Sequence, residues 1–360
     1  MQLDQPRVVK AGRIGQNTLL RKEPMKNKKK NQRSMSRHYR QAAGPVVQPT
    51  TEKDVAELLS GGAPSEASKE LRWNAGKANV AHSNNINWIA AAWLLMIHVG
   101  AIAAPWTFTW SALALVVVLH WLCGGIGICL GYHRLLTHGG FGCPRWVRQG
   151  ISMIGCLAGE GPPLLWVANH RLHHARSDQD GDPHSPRDGA WWSHAFWLAY
   201  RVGGRNPTEY YKKWAPDLQR DRFMRSLEYA FLPLNVALSA VIMGAGYLIG
   251  GSSLAISWLV WAVCVRMVFV LHSTWLVNSA SHIWGYRNYE TRDDSRNNWW
   301  VALVTYGEGW HNNHHAHPRM AKHGHKWWEF DLTYQTIRLM RALGMAWDVV
   351  DYRSRSEKAA

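Results

Sequence analysis

Three short clusters of histidine are the residues in this sequence most able to do chemistry. The first pairs His133 with His138 at a spacing of five, and the other two are His170-Arg-Leu-His173-His174 and His311-Asn-Asn-His314-His315. Spacings of three and four put side chains on one face of a helix, so the imidazoles of each of these clusters converge. A spacing of five suits a helix end where the backbone departs from regular geometry. The pattern indicates metal binding.

The number of histidines bears on the number of metal ions. Eight imidazoles exceed the four ligands of one tetrahedral zinc ion, so two ions with four or five ligands each are the economical interpretation. Imidazole binds iron, zinc and copper, and the ligand type therefore does not name the metal.

Four apolar stretches are placed to position these clusters. Each is near the ~20 residues that a helix needs to cross a hydrocarbon layer of ~30 Å. The first histidine cluster follows the second stretch, and the third cluster comes after the fourth. The stretches comprise residues 88–104, 110–130, 231–250 and 254–277.

The distribution of charge predicts the topology of these stretches. The short connectors 105–109 and 251–253 contain no charged residue, whereas the N-terminal segment, residues 131–230 and the C-terminal segment are rich in Lys and Arg. By the positive-inside rule both termini and all three clusters are cytoplasmic. We therefore predict an all-α, multi-pass integral membrane protein with four transmembrane helices in two hairpins and a cytoplasmic helical cap that holds the histidine-rich site. The alternative, buried helices of a soluble protein, fits this charge segregation poorly.

The N-terminal segment differs in composition from the rest of the chain. Residues 1–75 are basic and polar, with too few large apolar side chains to offset the entropy of ordering, and they show no signal-peptide pattern. We predict a disordered tail over 1–75 and one membrane domain over 76–360. The net charge of +16 favours anionic lipid or an acidic redox protein as a partner, and no folded motif indicates nucleic acid.

Taken together, the motifs resemble those of the membrane fatty-acid desaturase family, specifically its delta-9 acyl-CoA and acyl-lipid members. The resemblance covers about residues 85 to 345. It rests on Gly131-Tyr-His133-Arg-Leu-Leu-Thr-His138, on Trp166-Val-Ala-Asn-His170-Arg-Leu-His173-His174-Ala-Arg-Ser-Asp178, on Asp182-Pro-His184-Ser185, on Asn278-Ser-Ala-Ser-His282 and on Gly307-Glu-Gly-Trp-His311-Asn-Asn-His314-His315.

The resemblance implies a di-iron site with two Fe2+ ions and assigns ligands to each. One ion would be held by His133, His138, His170, His174 and His314. The other would be held by His173, His282, His311 and His315, with Asn278 contacting it through water. Without the resemblance, His282 would be interpreted only as a packed or capping residue.

Other polar residues have weaker assignments. Asp178, Asp182 and Glu308 are candidates to accept the second ring proton of ligand imidazoles, with ordinary salt bridges as the alternative. Arg266 is unusual because an ionisable side chain inside an apolar stretch is costly and normally faces the protein interior. The remaining histidines are expected to pack or to lie at the surface. They include His98, His120, His184, His194, His272, His317, His323 and His325.

The resemblance also implies the reaction. It is the O2-dependent removal of two hydrogens from adjacent methylenes of an acyl-CoA or acyl-lipid, which leaves a cis double bond. Trp121 lies twelve residues before His133, about 18 Å along a helix at 1.5 Å per residue, and is a candidate stop for the methyl end of the acyl chain. Because the sequence carries no haem, iron–sulfur or nucleotide-binding motif, electrons would come from a separate ferredoxin or small cytochrome.

Two alternatives remain open at this stage. A membrane di-iron hydroxylase uses similar histidine clusters but inserts oxygen, and the His-Arg-x-x-x-His form of the first cluster together with the Asn278 and His282 element favours the desaturase. A metal transporter would be a non-enzymatic alternative. Its histidines should line a path near the bilayer midplane, whereas most of the clustered histidines here lie outside the apolar stretches.

Overall fold

The computed structural model of the protein describes residues 86–202 and 207–351. The predicted tail over 1–75 lies outside these residues. Within them, every regular element is a helix and β-pairing is limited to isolated bridges such as that between Ile86 and Tyr200. The all-α prediction is therefore confirmed for the described part of the chain.

Fifteen helices of four or more residues, excluding the short 3-10 turns, carry the fold of the described part. They are α1 (Trp88–Ile102), α2 (Trp110–His120), α3 (Trp121–Thr137), α4 (Arg145–Cys156), α5 (Pro163–Arg176), α6 (Ala190–His194), α7 (Pro207–Trp214), α8 (Pro216–Arg220), α9 (Arg222–Trp258), α10 (Leu259–Val265), α11 (Arg266–Asn278), α12 (Ala280–Ile283), α13 (Trp299–Val304), α14 (His311–Ala316) and α15 (Leu332–Ala342).

Side-chain caps fix where several long helices begin. The Asn87 side chain accepts from the Ala90 N–H at 3.3 Å, and the Thr109 hydroxyl accepts from the Ala112 N–H at 3.2 Å. Asp221 caps α9 in the same way. Asn, Thr and Asp are favoured at this position because their oxygens satisfy N–H groups that lack a partner within the helix.

Three continuous helical segments are long and apolar enough to cross a membrane: Trp88–Trp106, Trp110–Thr137 and Arg222–Ile283. The third has 62 residues and contains a break, because Gly250 and Gly251 have non-helical backbone angles. Gly251 has a φ of 72°, a conformation that favours glycine. The break falls where the third apolar stretch, which ends at Gly250, meets the predicted connector, which begins at Gly251.

Close packing between α3 and α4 positions the first histidine cluster. A Cβ atom added to Gly127 would lie 2.7 Å from the Gly155 Cα, so the two helices touch through their backbones. Small residues allow this close approach in membrane helices. The contact fixes α3, and with it His133, against the helix that precedes α5.

Arg266 connects α11 to the end of α4. Its side chain is fully buried; the Nε donates to the Ala262 carbonyl, and an Nη donates to the Leu157 carbonyl just after α4. The arginine thus satisfies a backbone carbonyl at the end of α4, which is the interior role that its place in an apolar stretch predicts.

Candidate metal centre

Two groups of histidine nitrogens converge at the ends of the long helices. The five-histidine set draws on α3, α5 and α14, and the four-histidine set draws on α5, α12 and α14. Within each set one nitrogen of every ring lies within 4.8 Å of the others. The five-histidine set consists of His133, His138, His170, His174 and His314, and the four-histidine set consists of His173, His282, His311 and His315. The structure therefore groups all nine predicted histidines into the two predicted sets.

The spacing of five in the first cluster has a local structural cause. Helix α3 has π-helical geometry, in which the backbone N–H bonds to the carbonyl five residues earlier, and the His138 N–H accordingly donates to the His133 carbonyl at 3.2 Å. The Thr137 hydroxyl donates to the Tyr132 carbonyl at 2.8 Å over the same interval. The wider turn brings His133 and His138 to the same side, with their ring centroids 4.9 Å apart.

Regular α-helical spacing accounts for the other two clusters. On α5 the Nε2 atoms of His170 and His174 are 3.1 Å apart, and on α14 those of His311 and His315 are 3.0 Å apart. Residues four apart on an α-helix are surface neighbours, so each pair points to one centre. His173 and His314 project to the other centre from the same two helices. Each of these helices thus contributes to both sets.

The hydrogen bonds of these imidazoles indicate that the ring nitrogens facing one another in each set fit a cation. His282 and His315 use their Nδ1 protons to donate to carboxylates, which leaves a lone pair on each Nε2, as assigned from the hydrogen-bond network. Both of these Nε2 atoms lie 3.0 Å from the Nε2 of His311, which has at most one proton to share when neutral. The His173 Nε2 and both ring nitrogens of His138 are buried without a hydrogen-bond partner. A metal ion bound in each set would satisfy the lone pairs that face its centre.

Four of the nine histidines donate a hydrogen bond from Nδ1 to a carboxylate. His133 donates to Glu308 at 2.7 Å, His173 to Asp182 at 3.0 Å and His282 to Asp178 at 2.8 Å. These contacts confirm that the three acidic residues accept hydrogen bonds from histidines of the two sets. Such partners fix the tautomer and orientation of a ligating imidazole.

The fourth carboxylate was not predicted from the sequence. Asp293 accepts from His315 at 2.7 Å, and it lies in the irregular segment between α12 and α13. No motif marks this residue, and only the fold brings it beside α14. His323, also unassigned, places its Nδ1 2.9 Å from Glu308 and so shares that carboxylate with His133.

The charge state of these groups follows from burial and proximity. Burial alone would raise the pKa values of Asp178, Asp182 and Asp293, but their imidazole partners outweigh it and hold each pKa below its usual range. Burial and neighbouring imidazoles lower the pKa values of the histidines without a carboxylate partner, so these rings are neutral near pH 7. This lowering applies to His138, His170, His174, His311 and His314.

A buried arginine anchors the five-histidine set. Arg134 donates from Nε to Glu308 at 3.0 Å, and from one Nη to Asp331 at 2.8 Å and to the Ala321 carbonyl at 2.6 Å. Burial by itself would raise the pKa of Glu308, but Arg134 and His133 keep it well below the usual range. The arginine therefore links α3 to the loop before α14 and to the N-terminus of α15.

An apolar cavity runs beside both sets. Its wall includes His133 and His170 of the five-histidine set, His311 of the four-histidine set, and Asn278. The remaining lining residues come mainly from α2, α3, α11 and the loop after α13, and include Gly124, Ile128, Val270, Val277 and Tyr306. The two histidine sets thus face a space in which Glu308 is the only Asp, Glu, Lys or Arg among the described lining residues.

His120 occupies a buried position in the wall of this cavity. It is hydrogen-bonded through Nδ1 to the Tyr306 hydroxyl, and its Nε2 lies 3.4 Å from the Ser273 hydroxyl. The adjacent Trp121 is 39% exposed and is not among the described residues that line the cavity. The role of Trp121 as a chain stop therefore stays a prediction.

A second, larger cavity of about 490 Å³ opens between α1 and α9, where Ala90, Trp93 and Phe231 line it. That volume falls within the range typical of ligand pockets. It adjoins a smaller cavity whose walls include His170, His184 and Asn278. The smaller cavity shares Trp166, His170, Thr274 and Asn278 with the apolar cavity. The larger cavity therefore borders the smaller one, and the smaller one borders the apolar cavity. Together they form a series from the protein surface to the histidines.

Glu160 lines both the larger and the smaller of these cavities, and it gives a testable pH dependence. Its carboxyl accepts from the Trp166 indole at 2.8 Å and from the Thr274 hydroxyl at 2.6 Å, and burial raises its pKa to about 7 despite these two hydrogen bonds. Because the folded protein holds this proton more tightly than the unfolded chain, the associated stability is present below pH ~4.5 and is lost as the pH rises through ~7.

We expect thermal stability to fall less steeply over this pH interval in Glu160→Gln, which cannot ionise. The measurement is the unfolding temperature of the purified protein in detergent at several pH values, with Glu209→Gln as an exposed control. Parallel pH curves for the wild type and Glu160→Gln would contradict the expected effect of Glu160.

Comparison with known proteins identifies the class. The family model described as fatty acid desaturase matches residues 104–339. An sn-2 palmitoyl-lipid 9-desaturase from Nostoc sp. (strain 36) is 47% identical over 270 residues, which cover 75% of this chain and 92% of the relative. An sn-1 stearoyl-lipid 9-desaturase from Anabaena variabilis is 43% identical and covers 73% of this chain and 94% of its own length. An acyl-CoA 5-desaturase from Anemone leveillei is 42% identical, with coverages of 70% and 76%.

This chain belongs to the fatty acid desaturase family. It is an acyl desaturase, an oxidoreductase that converts saturated acyl chains to unsaturated ones. The resemblance drawn from the histidine motifs is confirmed.

Proposed function

We propose that this desaturase introduces a cis double bond at the delta-9 position of a fatty-acyl chain, using O2 and two Fe2+ ions. The observation that carries the proposal is that histidines of both sets line one apolar cavity next to Asn278. An unactivated methylene has no acidic proton and no leaving group, so acid–base and nucleophilic chemistry cannot remove its hydrogens. O2 would supply the oxidising power that this reaction requires, and iron held by the two histidine sets would activate it.

We assign one iron to the five-histidine set and the other to the four-histidine set, with Asn278 contacting the second through water. The lone pairs that face one another in each set support the assignment, as do the carboxylates that hold ring protons on the distal nitrogens. Imidazole also suits other transition metals, so the metal content of the purified protein is the direct measurement.

The bordering cavities support a path for the acyl chain. The chain would enter between α1 and α9, pass Glu160 and lie along the apolar cavity beside the histidines. The residues along this path hold the reacting carbons in place, and a displacement of ~1 Å is costly to rate. The two relatives covered over more than 90% of their length act, by their names, on acyl-lipids, and we therefore propose an acyl-lipid as the carrier.

We propose four transmembrane helices, in two hairpins, with the termini and the helical cap in the cytoplasm. A helix of 62 residues would be about 93 Å long at 1.5 Å per residue, three times the hydrocarbon thickness. The break at Gly250 and Gly251 supports two crossings within this segment. We place the desaturase domain at 76–360, which contains the whole family match.

The electron donor in this proposal is a separate ferredoxin or small cytochrome. The sequence has no haem-binding or iron–sulfur motif, and its net charge of +16 favours encounter with an acidic carrier.

Expression in a host that lacks its own desaturase tests the function. We expect gas chromatography of the host's membrane lipids to show acyl chains with a new cis double bond at carbon 9. A host carrying His311→Ala at equal protein level is the control. Hydroxylated acyl chains would favour the hydroxylase alternative, and metal uptake without lipid modification would favour the transporter.

The same host tests Trp121. If Trp121 limits the depth of the acyl chain, Trp121→Ala is expected to shift the products towards longer chains, because removing the indole lengthens the space along α3. The readout is the ratio of unsaturated products of different chain length. Trp110→Ala at the exposed start of α2 is the matched control. An unchanged ratio would exclude Trp121 as the stop.

A further inference from the structure

The two histidine sets differ in the number of their rings that donate hydrogen bonds to carboxylates. In the four-histidine set, three rings donate to carboxylates: His173 to Asp182, His282 to Asp178 and His315 to Asp293. The distances are 3.0, 2.8 and 2.7 Å. In the five-histidine set only one ring, that of His133, donates to a carboxylate among the described residues.

The compensating charge differs as well. Glu308, the carboxylate behind His133, is paired with Arg134, whose Nη lies 2.9 Å from it. Across the described ranges no Lys or Arg nitrogen lies within 4.0 Å of the carboxylates of Asp178, Asp182 or Asp293. Their other hydrogen bonds come from neutral donors, such as the Ser185 hydroxyl and the Asp294 N–H to Asp178.

We propose that the four-histidine site binds its metal ion more tightly than the five-histidine site, and that Asp178, Asp182 and Asp293 are the positioning residues responsible. A carboxylate that accepts the distal ring proton makes the imidazole a more basic ligand, and three aspartates whose carboxylates form no ion pair with Lys or Arg favour a divalent cation. This inference rests on the proposed function, since it assumes that both sets hold iron.

The additional imidazole of the five-histidine set acts in the opposite direction, because it favours metal binding at that site. It adds one neutral donor, whereas each carboxylate partner of a ligating histidine contributes about 10-fold to 100-fold in metal affinity. Three such partners, none of them paired directly with a Lys or Arg side chain, outweigh one carboxylate that is paired with Arg134. The site with fewer histidines is therefore expected to have the higher metal affinity.

Anaerobic metal titration of the full-length protein in detergent tests the inference. The protein is stripped with a chelator and titrated with Fe2+ in competition with a chromophoric chelator. We expect two steps, with a Kd at least about 10-fold lower for the first. His315→Ala should remove the first step and His138→Ala the second, which assigns each step to its site.

Carboxamide variants then separate the causes. Asp178→Asn and Asp293→Asn keep the size of the side chain but remove its charge, and each is expected to weaken only the first step, by about 10-fold to 100-fold. Glu308→Gln is the matched control and should weaken only the second step. The elution profile in size-exclusion chromatography shows which variants remain folded, and either aspartate variant alone decides the result.

The outcomes are distinct. Two steps of equal affinity in the wild type, or aspartate variants that weaken the second step or both steps equally, would overturn the inference while leaving the di-iron proposal intact. Binding of fewer than two ions by the folded wild-type protein would instead contradict the proposed di-iron site itself.

Discussion

Replacing His314 with alanine is expected to abolish desaturation. The Nε2 of His314 lies 3.0 Å from that of His133 and 2.9 Å from that of His174, so this ring stands at the middle of the five-histidine set. Loss of a partner behind a ligand costs about 10-fold to 100-fold, and loss of the ligand itself is expected to cost more. We expect at least about a 100-fold fall in product and a loss of bound metal.

The measurements are gas chromatography of the lipids and metal analysis of the purified protein. His317→Ala is the matched control, because His317 follows directly after α14 but belongs to neither set. Full activity in His314→Ala would show that the five-histidine set is not the reaction centre. An equal loss in the two variants would point to disruption of α14 and not to a missing ligand.

Replacing Arg134 with leucine is expected to be the most destabilising single change outside the histidines. The guanidinium is fully buried and pairs with Glu308 and Asp331, both of which are buried as well. Removing one partner of a buried ion pair leaves uncompensated charge, which typically costs about 3–5 kcal/mol. We expect a loss of that size in the free energy of unfolding.

Denaturant titration of the purified protein in mixed micelles measures this loss. Arg338→Leu on α15 is the control, since Arg338 is exposed and pairs only with Gln335 among its described contacts, and a change within about 0.5 kcal/mol is expected. If both leucine variants unfold at the same denaturant concentration, the Arg134 network does not hold the fold together.

The sequence was sufficient to predict the three histidine clusters because the spacing within each cluster is local. His170, His174, His311 and His315 lie four apart on helices, and this interval alone brings each pair together. Grouping the clusters into two sets, and adding His282, depended on family resemblance. No spacing rule relates His282 to His311, whose rings meet only in the fold.

Other features of the site had no sequence signal. Asp293 lies in an irregular segment, and its partner His315 is 22 residues away, so its role depends on tertiary packing. The π-helical geometry of α3 could not be read from its composition, although the spacing of five between His133 and His138 indicated a departure from regular α-helix. The path of the cavities depends on how side chains from nine helices and the intervening loops pack, which hydropathy does not specify.

Helix α14 comes late in the chain, and this has a consequence for biosynthesis. Both histidine sets include residues of α14, and the first histidine of the two sets, His133, precedes the last, His315, by most of the described sequence. During synthesis, the five-histidine set is not complete until the chain has been translated through His314, and the four-histidine set not until His315. By that point all the long apolar helices have been made. Insertion into the bilayer is therefore expected to come first, with iron delivered afterwards to a chain that is already in place.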